Sequence, residues 1–241
     1  MRDIDELTCV DDPAWPELQE MIAAGPAPVR VLPPAPEEAH RSLLQMQVTT
    51  RSTLGSLAWH TGGLLLDDGW VRVFGGGSSA DGGLPGLARV NRFPSVPDPA
   101  WSPPAGLVVG HDVVGGVFAL NGGNPSAAGR PGAPGQMTYF APDTLAWEAL
   151  DMGHSDWVLW MLSGRPDGFY EGLRWPTWRE EAAALAPDQG ISVFPFLWSK
   201  EAHDDLAGTS RRPVPMREVI GVAADFARRA GPLDPGFLGE V

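Results

Sequence analysis

The chain is short of positive charge, of cysteine and of unbroken apolar sequence. Across 241 residues, 17 Lys and Arg face 30 Asp and Glu, a formal net charge of −13 at pH 7. With no basic face to neutralise phosphates, nucleic-acid binding is not expected. Adhesion to anionic membranes is disfavoured for the same reason. Lysine is nearly missing: Lys200 is the one Lys among the basic residues, a skew that reads as genomic base composition rather than arginine chemistry. A single cysteine, Cys9, permits no intrachain disulfide and no thiolate metal cluster. No apolar run approaches the roughly 18 residues that cross a bilayer. The acidic start, Met1-Arg2-Asp3-Ile4-Asp5-Glu6, lacks the positive charge and apolar stretch of a secretory signal. A cytoplasmic protein with no cofactor and no metal is expected.

Catalytic signatures are scarce as well. Gly75-Gly76-Gly77-Ser78-Ser79 follows a strand-like run, and amides in such a loop can hold an anion. The Gly-Lys-Ser/Thr ending that lets a P-loop reach phosphate and Mg²⁺ is missing, and so is any Gly-x-Ser-x-Gly elbow. A flexible loop is the plainer reading. The histidines, at 40, 60, 111, 154 and 203, never fall three or four apart, so metal-ligand spacing is missing. His111-Asp112 is the one imidazole–carboxylate neighbourhood of interest, an oriented base if the two side chains meet. Neighbours on a strand point to opposite faces, which argues against it. Acidic pairs at 11–12, 67–68, 180–181 and 204–205 sit at turns and helix starts, where carboxylates have structural reasons to be.

What the chain does contain is glycine, proline and tryptophan. Thirty glycines and 25 prolines make up more than a fifth of it. The 43% apolar content and ten tryptophans nevertheless supply enough buriable surface to fold. A first helix is expected from Asp12, with Pro13 at its first position and Trp15, Leu18 and Ile22 on one face. Residues 25–36, with five prolines, read as an extended connector, and a helix follows over about 37–48. From residue 53 strands are expected. Leu64–Leu66 and Trp70–Phe74 flank Asp67-Asp68-Gly69, a hairpin turn. Further pairs join 107–110 to 117–120 and 137–140 to 146–150. Residues 75–104 read as a long surface loop of candidate functional interest, and 121–136 as a second loop. A short helix follows Ser155, another follows a Thr177-x-x-Glu180 capping box, and the last spans about 215–230. Residues 191–198, broken by Pro195, suit an edge strand or packed loop. The fold class is α+β: a meander of five or six antiparallel strands with helices packed on it. The expected division is a helix and connector over 1–36, then one domain over 37–235. Most tryptophans should fill the core, but ten is generous for one core. Trp70, Trp101 and Trp198 are the candidates for a partner-binding surface.

Several runs together resemble the bacterial DUF2625 family, over about residues 40–235. They are Arg51–Gly55, Trp70–Gly75, Val109–Gly116, Thr138–Asp143 and Phe194–Trp198, with Trp175-x-x-Trp178-Arg179 and Arg211-x-Pro213-Val214-Pro215. The resemblance implies no chemistry, because the family's function is undefined. At the level of pattern, Gly115–Leu120, Met137–Phe140 and Asp156–Trp160 are similar to the Smi1/Knr4 (SUKH) superfamily, many of whose members neutralise toxins by binding them. The region from about 165 onward lies outside the usual SUKH module. Three readings follow. The first is a protein-binding module, of SUKH-like immunity type, whose acidity would attract a basic protein or toxin. The second is a hydrolase using His111 with a carboxylate such as Asp112. The third is a housekeeping oligomer, for example a homodimer, in which loop 75–104 meets a second subunit.

Overall fold

The chain opens with a five-residue helix, α1 (Ile4–Thr8), that has too few residues to show a helical period. In this computed structural model, which describes all residues except 27, 80, 81, 104 and 231–233, a reciprocal capping box starts it. Asp3 Oδ1 accepts from the Glu6 amide and the Glu6 carboxylate accepts from the Asp3 amide, both at 2.9 Å. Helix α2 (Trp15–Ala24) begins two residues later than expected. Asp12 is held at φ 54°, outside cap geometry, and Pro16 rather than Pro13 occupies the first turn. The proline-rich segment 25–36 is extended as expected, but it is more than a connector. Val29–Leu32 forms β1, paired antiparallel with β2 (Gly63–Leu66). Pro28 and Pro33 bound it, and an edge position tolerates their missing amides.

Helix α3 (Pro36–Met46) occupies the expected place. Helix α4 (Thr53–His60) corrects the expectation of strand: Ser52 Oγ accepts from the Gly55 amide at 3.0 Å, and Leu54, Leu57 and Ala58 line one buried face. That spacing of three and four is helical, and it outweighs the β-like look of 58–60 alone. Then come β3 (Val71–Phe74), the short helix α5 (Leu87–Val90), β4 (Gly106–Asp112) and β5 (Val117–Asn121). A 3₁₀ turn at Pro125–Ala128, β6 (Met137–Ala141) and β7 (Ala146–Ala149) complete the meander. Its strands pair in chain order, all antiparallel. The sheet has seven strands rather than five or six, the addition being β1. The β2–β3 turn places Asp67, Asp68 and Gly69 at φ 53°, 56° and 84°, which these residue types accept more readily than most.

The expected surface loop is found in the second half of 75–104, where 95–103 is mostly exposed and Val96 is 74% exposed, whereas 75–93 is packed where it is described. Leu84, Leu87, Ala88, Val90 and Phe93 are buried in it; positions 80, 81 and 104 lie outside the described residues. Nor is the glycine run slack. Gly75, Gly76 and Gly77 are buried, and a Cβ on Gly76 would stand 2.5 Å from the Ala58 carbonyl and 2.7 Å from the Ala39 Cβ.

The remainder is helical with one added ribbon: α6 (His154–Leu162), α7 (Pro166–Phe169), α8 (Trp178–Ala183), β8 (Gln189–Phe194), α9 (Lys200–Asp204), β9 (Ser210–Pro215) and α10 (Met216–Ala230). The Thr177/Glu180 capping box is not formed. Thr177 Oγ1 instead donates to Glu181 at 2.8 Å, and the same carboxylate oxygen accepts from Trp175 Nε1 at 2.8 Å. Among the described residues strands β8 and β9 pair only with each other, and the Ile191 amide ties the ribbon to Val113 of the β4–β5 turn at 2.7 Å. One face of the main sheet packs Phe118 against Trp157 of α6, with ring centroids 5.0 Å apart. The C-terminal stretch is tied back to the rest of the chain. Trp147 Nε1 donates to the Pro235 carbonyl at 2.9 Å, Arg130 to that of Phe237 at 3.0 Å, and Leu238 is buried. Among the described residues no helix is long and apolar enough to cross a membrane.

Candidate functional site

His111 and Asp112 end β4 and are both buried, yet the sheet separates their side chains. His111 registers with Arg72 and Asp112 with Val71, so the two project to opposite faces. The imidazole packs edge-on to Phe74 at 5.3 Å. Burial, aided by the Arg72 charge, pushes its pKa down to about 3, so it is neutral at pH 7. Its Nδ1 lies 3.2 Å from the Asp112 backbone carbonyl rather than meeting the carboxylate; its Nε2 is buried without a partner among the described residues. The dyad that the hydrolase reading requires is therefore not formed.

Asp112 closes the β4–β5 turn. One carboxylate oxygen accepts from the amides of Val114 at 3.0 Å and Gly116 at 2.9 Å, and the other from the Tyr139 hydroxyl at 2.6 Å. Burial raises its pKa, and these hydrogen bonds act the other way. Every strong contact of this carboxylate is spent on holding backbone and Tyr139 in place. Among the described residues no three His, Cys, Asp or Glu side chains converge as metal ligands.

Trp70 is fully buried, which removes it as a partner-binding candidate. It is the hub of an aromatic cage, edge-on to Tyr170, Trp175 and Trp178 at 5.2 to 5.7 Å. The cage is filled by the chain's own cation. The Arg174 guanidinium lies 3.8 Å from the Trp178 ring centroid and 4.7 Å from that of Tyr170. Arg174 also pairs with Asp67 and with Asp167, the latter at 2.7 Å. Arg179 reaches Asp67 at 2.7 Å and Asp68 at 3.2 Å. The family-like run Trp175-x-x-Trp178-Arg179 thus has a structural task, locking the β2–β3 turn to the segment around α8. A cleft of about 390 Å³ opens beside this lock, between Pro26, Leu66, Met161 and Arg174, but both carboxylate oxygens of Asp67 are already engaged by arginine.

A different feature is left open to solvent. The run Phe194-Pro195-Phe196-Leu197-Trp198 continues β8 with an aromatic residue at every second position. Phe196 and Trp198 stack face to face at 4.5 Å with planes 9° apart, and Phe226 of α10 packs on both at 5.2 and 5.0 Å. Phe194 is 63% exposed and meets Phe196 edge-on at 5.9 Å. Helix α10 carries two apolar stripes. Ile220, Ala223, Ala224 and Ala227 are buried, whereas Val222 and Phe226 are each 39% exposed. Between this second stripe and the β8–β9 ribbon runs a shallow groove of about 90 Å³, lined by Phe196, Trp198, Val219 and Val222, with Arg212 and Glu218. Among the described residues, seven large apolar side chains are exposed, and Phe194, Val222 and Phe226 of this layer are three of them.

Trp198 therefore sits in the aromatic layer, half-buried. Trp101, also half-buried, packs edge-on to Phe93 at 5.0 Å in another part of the molecule and does not join it. Sequence reasoning missed Phe194, Phe196, Val222 and Phe226 as surface residues. The signal available was the period-2 aromatic run, but its meeting with a helix 30 residues onward is a tertiary event.

A family model described as "Protein of unknown function DUF2625" matches residues 4–219. The chain is similar to the uncharacterised protein YbfG of Escherichia coli K12, with 38% identity over 84% of this chain and 89% of that protein. It is also similar to an uncharacterised protein of Haemophilus influenzae Rd, with 32% identity over 95% of this chain and 96% of the other. No solved structure gives a significant match.

Proposed function

Since the chain belongs to the DUF2625 family, whose name carries no activity, its function has to be argued from its own surface, and we propose that it is a protein-binding module working through the aromatic layer of β8, β9 and α10. The observation that carries this reading is the exposure of Phe194, Val222 and Phe226 beside the stacked Phe196–Trp198 pair. Contiguous exposed aromatics are costly to leave in water, and they supply large, rigid contact area to a partner. A shallow groove of about 90 Å³ suits a protein surface better than a small substrate. The finer idea, an immunity-type protein occluding a basic toxin, has the net charge of −13 and the pattern-level resemblance to SUKH proteins in its support. Such a toxin would be drawn to the acidic bulk of the chain.

The test is capture of binding species by the immobilised chain, with wild type beside Phe194→Asp and Phe226→Asp, across a salt series. Specific retention by wild type and its loss in both variants is the expected result. If nothing is held at low or moderate salt, neither another protein nor a second copy, the reading is wrong.

A further inference from the structure

From the charge pattern around the aromatic layer we infer that its occupant is a second copy of this chain, related by a two-fold axis. The inference rests on the protein-binding reading and names the partner. Residues 189–230, which build β8, α9, β9 and α10, carry six basic and five acidic side chains; residues 1–188 carry 11 basic and 23 acidic. The aromatic layer therefore lies on the charge-balanced part of an acidic molecule. A basic protein gains nothing there that it would not gain more strongly elsewhere on the chain. Two acidic molecules, by contrast, repel least when their balanced layers face each other.

The groove also carries a matched pair of unused charges. Arg212 and Glu218 both line it, and among the described residues neither forms an ion pair or a side-chain hydrogen bond. In a two-fold contact any surface that meets its own copy must be self-complementary. One arginine and one carboxylate flanking an apolar strip meet that requirement, because Arg212 of each molecule faces Glu218 of the other. The outer stripe of α10, half-buried Val219 with exposed Val222 and Phe226, then packs on the Phe196–Trp198 stack across the axis. Strand addition is not the mode of contact. Pro213 and Pro215 occupy β9 and withhold the amides that edge pairing needs.

Sedimentation equilibrium of the full chain at moderate salt tests this. The expected mass is twice 25.7 kDa, with a dissociation constant of about 1 μM. Phe226→Asp should weaken association about a hundredfold or more. Arg212→Glu and Glu218→Arg should each weaken it about tenfold, and the double exchange Arg212→Glu/Glu218→Arg should recover most of the loss. The exchanges sit on exposed positions, so they report even where Phe226→Asp fails to fold. A wild-type monomer at about 100 μM, a hundred times that constant, overturns the inference. So does a dimer indifferent to all of these substitutions, or a double exchange no better than the singles. Should the chain be monomeric while Phe226→Asp still abolishes capture of a different protein, the second copy is excluded and the binding reading survives.

Discussion

At the level of single residues, neighbours on β4 respond to pH in opposite directions because the sheet puts them in different surroundings. Burial holds His111 down to about 3 and His154 down to about 4, against 6.5 in the unfolded chain. Below pH 6.5 the unfolded state binds protons that the folded state refuses. The stability tied to both histidines is complete above that pH and is lost as pH falls, by about 1.4 kcal/mol per unit for each. Urea unfolding at pH 7 and pH 5 should therefore differ by about 4 kcal/mol from this pair. His154→Leu should remove about half of that slope, and an unchanged slope would show that His154 does not carry it. Asp112 runs the other way. Its folded pKa is raised, so its contribution is full below the unfolded value of 3.8 and is lost as pH rises through the folded value. The stability of wild type relative to Asp112→Asn should accordingly grow on acidification. A difference independent of pH would contradict that.

Elements depend on contacts that a local reading reaches only in part. The β2–β3, β4–β5 and β6–β7 hairpins are legible because each carries its own turn chemistry between apolar runs, with Asp67-Asp68-Gly69 the clearest case. Helix α10 is legible from its long apolar period. Edge strand β1 is not, because prolines surround it and its pairing partner begins 31 residues further on. The Thr177 box fails for a similar reason: the Thr177 hydroxyl donates to Glu181 rather than capping the helix, and Glu181 is itself held by Trp175 and by Arg211 at 3.3 Å. Two tests belong here. Gly76→Ala should cost about 1–3 kcal/mol, since neither the Ala58 carbonyl nor Ala39 can yield without moving a helix. Thermal unfolding would measure it, and a neutral outcome would mean that the glycine run is loose after all. Arg174→Met should cost about 3 kcal/mol, because the side chain is only 7% exposed and Asp67, itself 15% exposed, loses a partner. A double-mutant cycle with Asp67→Asn separates that coupling from the stacking on Trp178.

For the molecule as a whole, the C-terminal stretch fastens elements that are distant in sequence. Leu238 is buried, the Glu240 amide donates to the Val90 carbonyl at 2.9 Å, and Arg92 pairs with Glu240 at 2.8 Å. Leu238→Ala should therefore destabilise the whole domain by about 2–5 kcal/mol as one cooperative unit. Separate transitions for the meander and the C-terminal region would count against that unity. The order of amino acids alone settles the fold class, the hairpin order of the meander from β2 to β7, the last helix and family membership. Each of these is written in short-range patterns: turn residues, periodicity and contiguous motifs. Long-range packing sets His111 and Asp112 apart, makes Trp70 core and seats Arg174 in an aromatic cage. It also brings Phe194, Phe196 and Trp198 to Phe226. A strand's two faces and a helix's two stripes look alike in sequence until something packs on one of them. What packs on β4, β8 and α10 is set by chain segments far away in number, which no local pattern records.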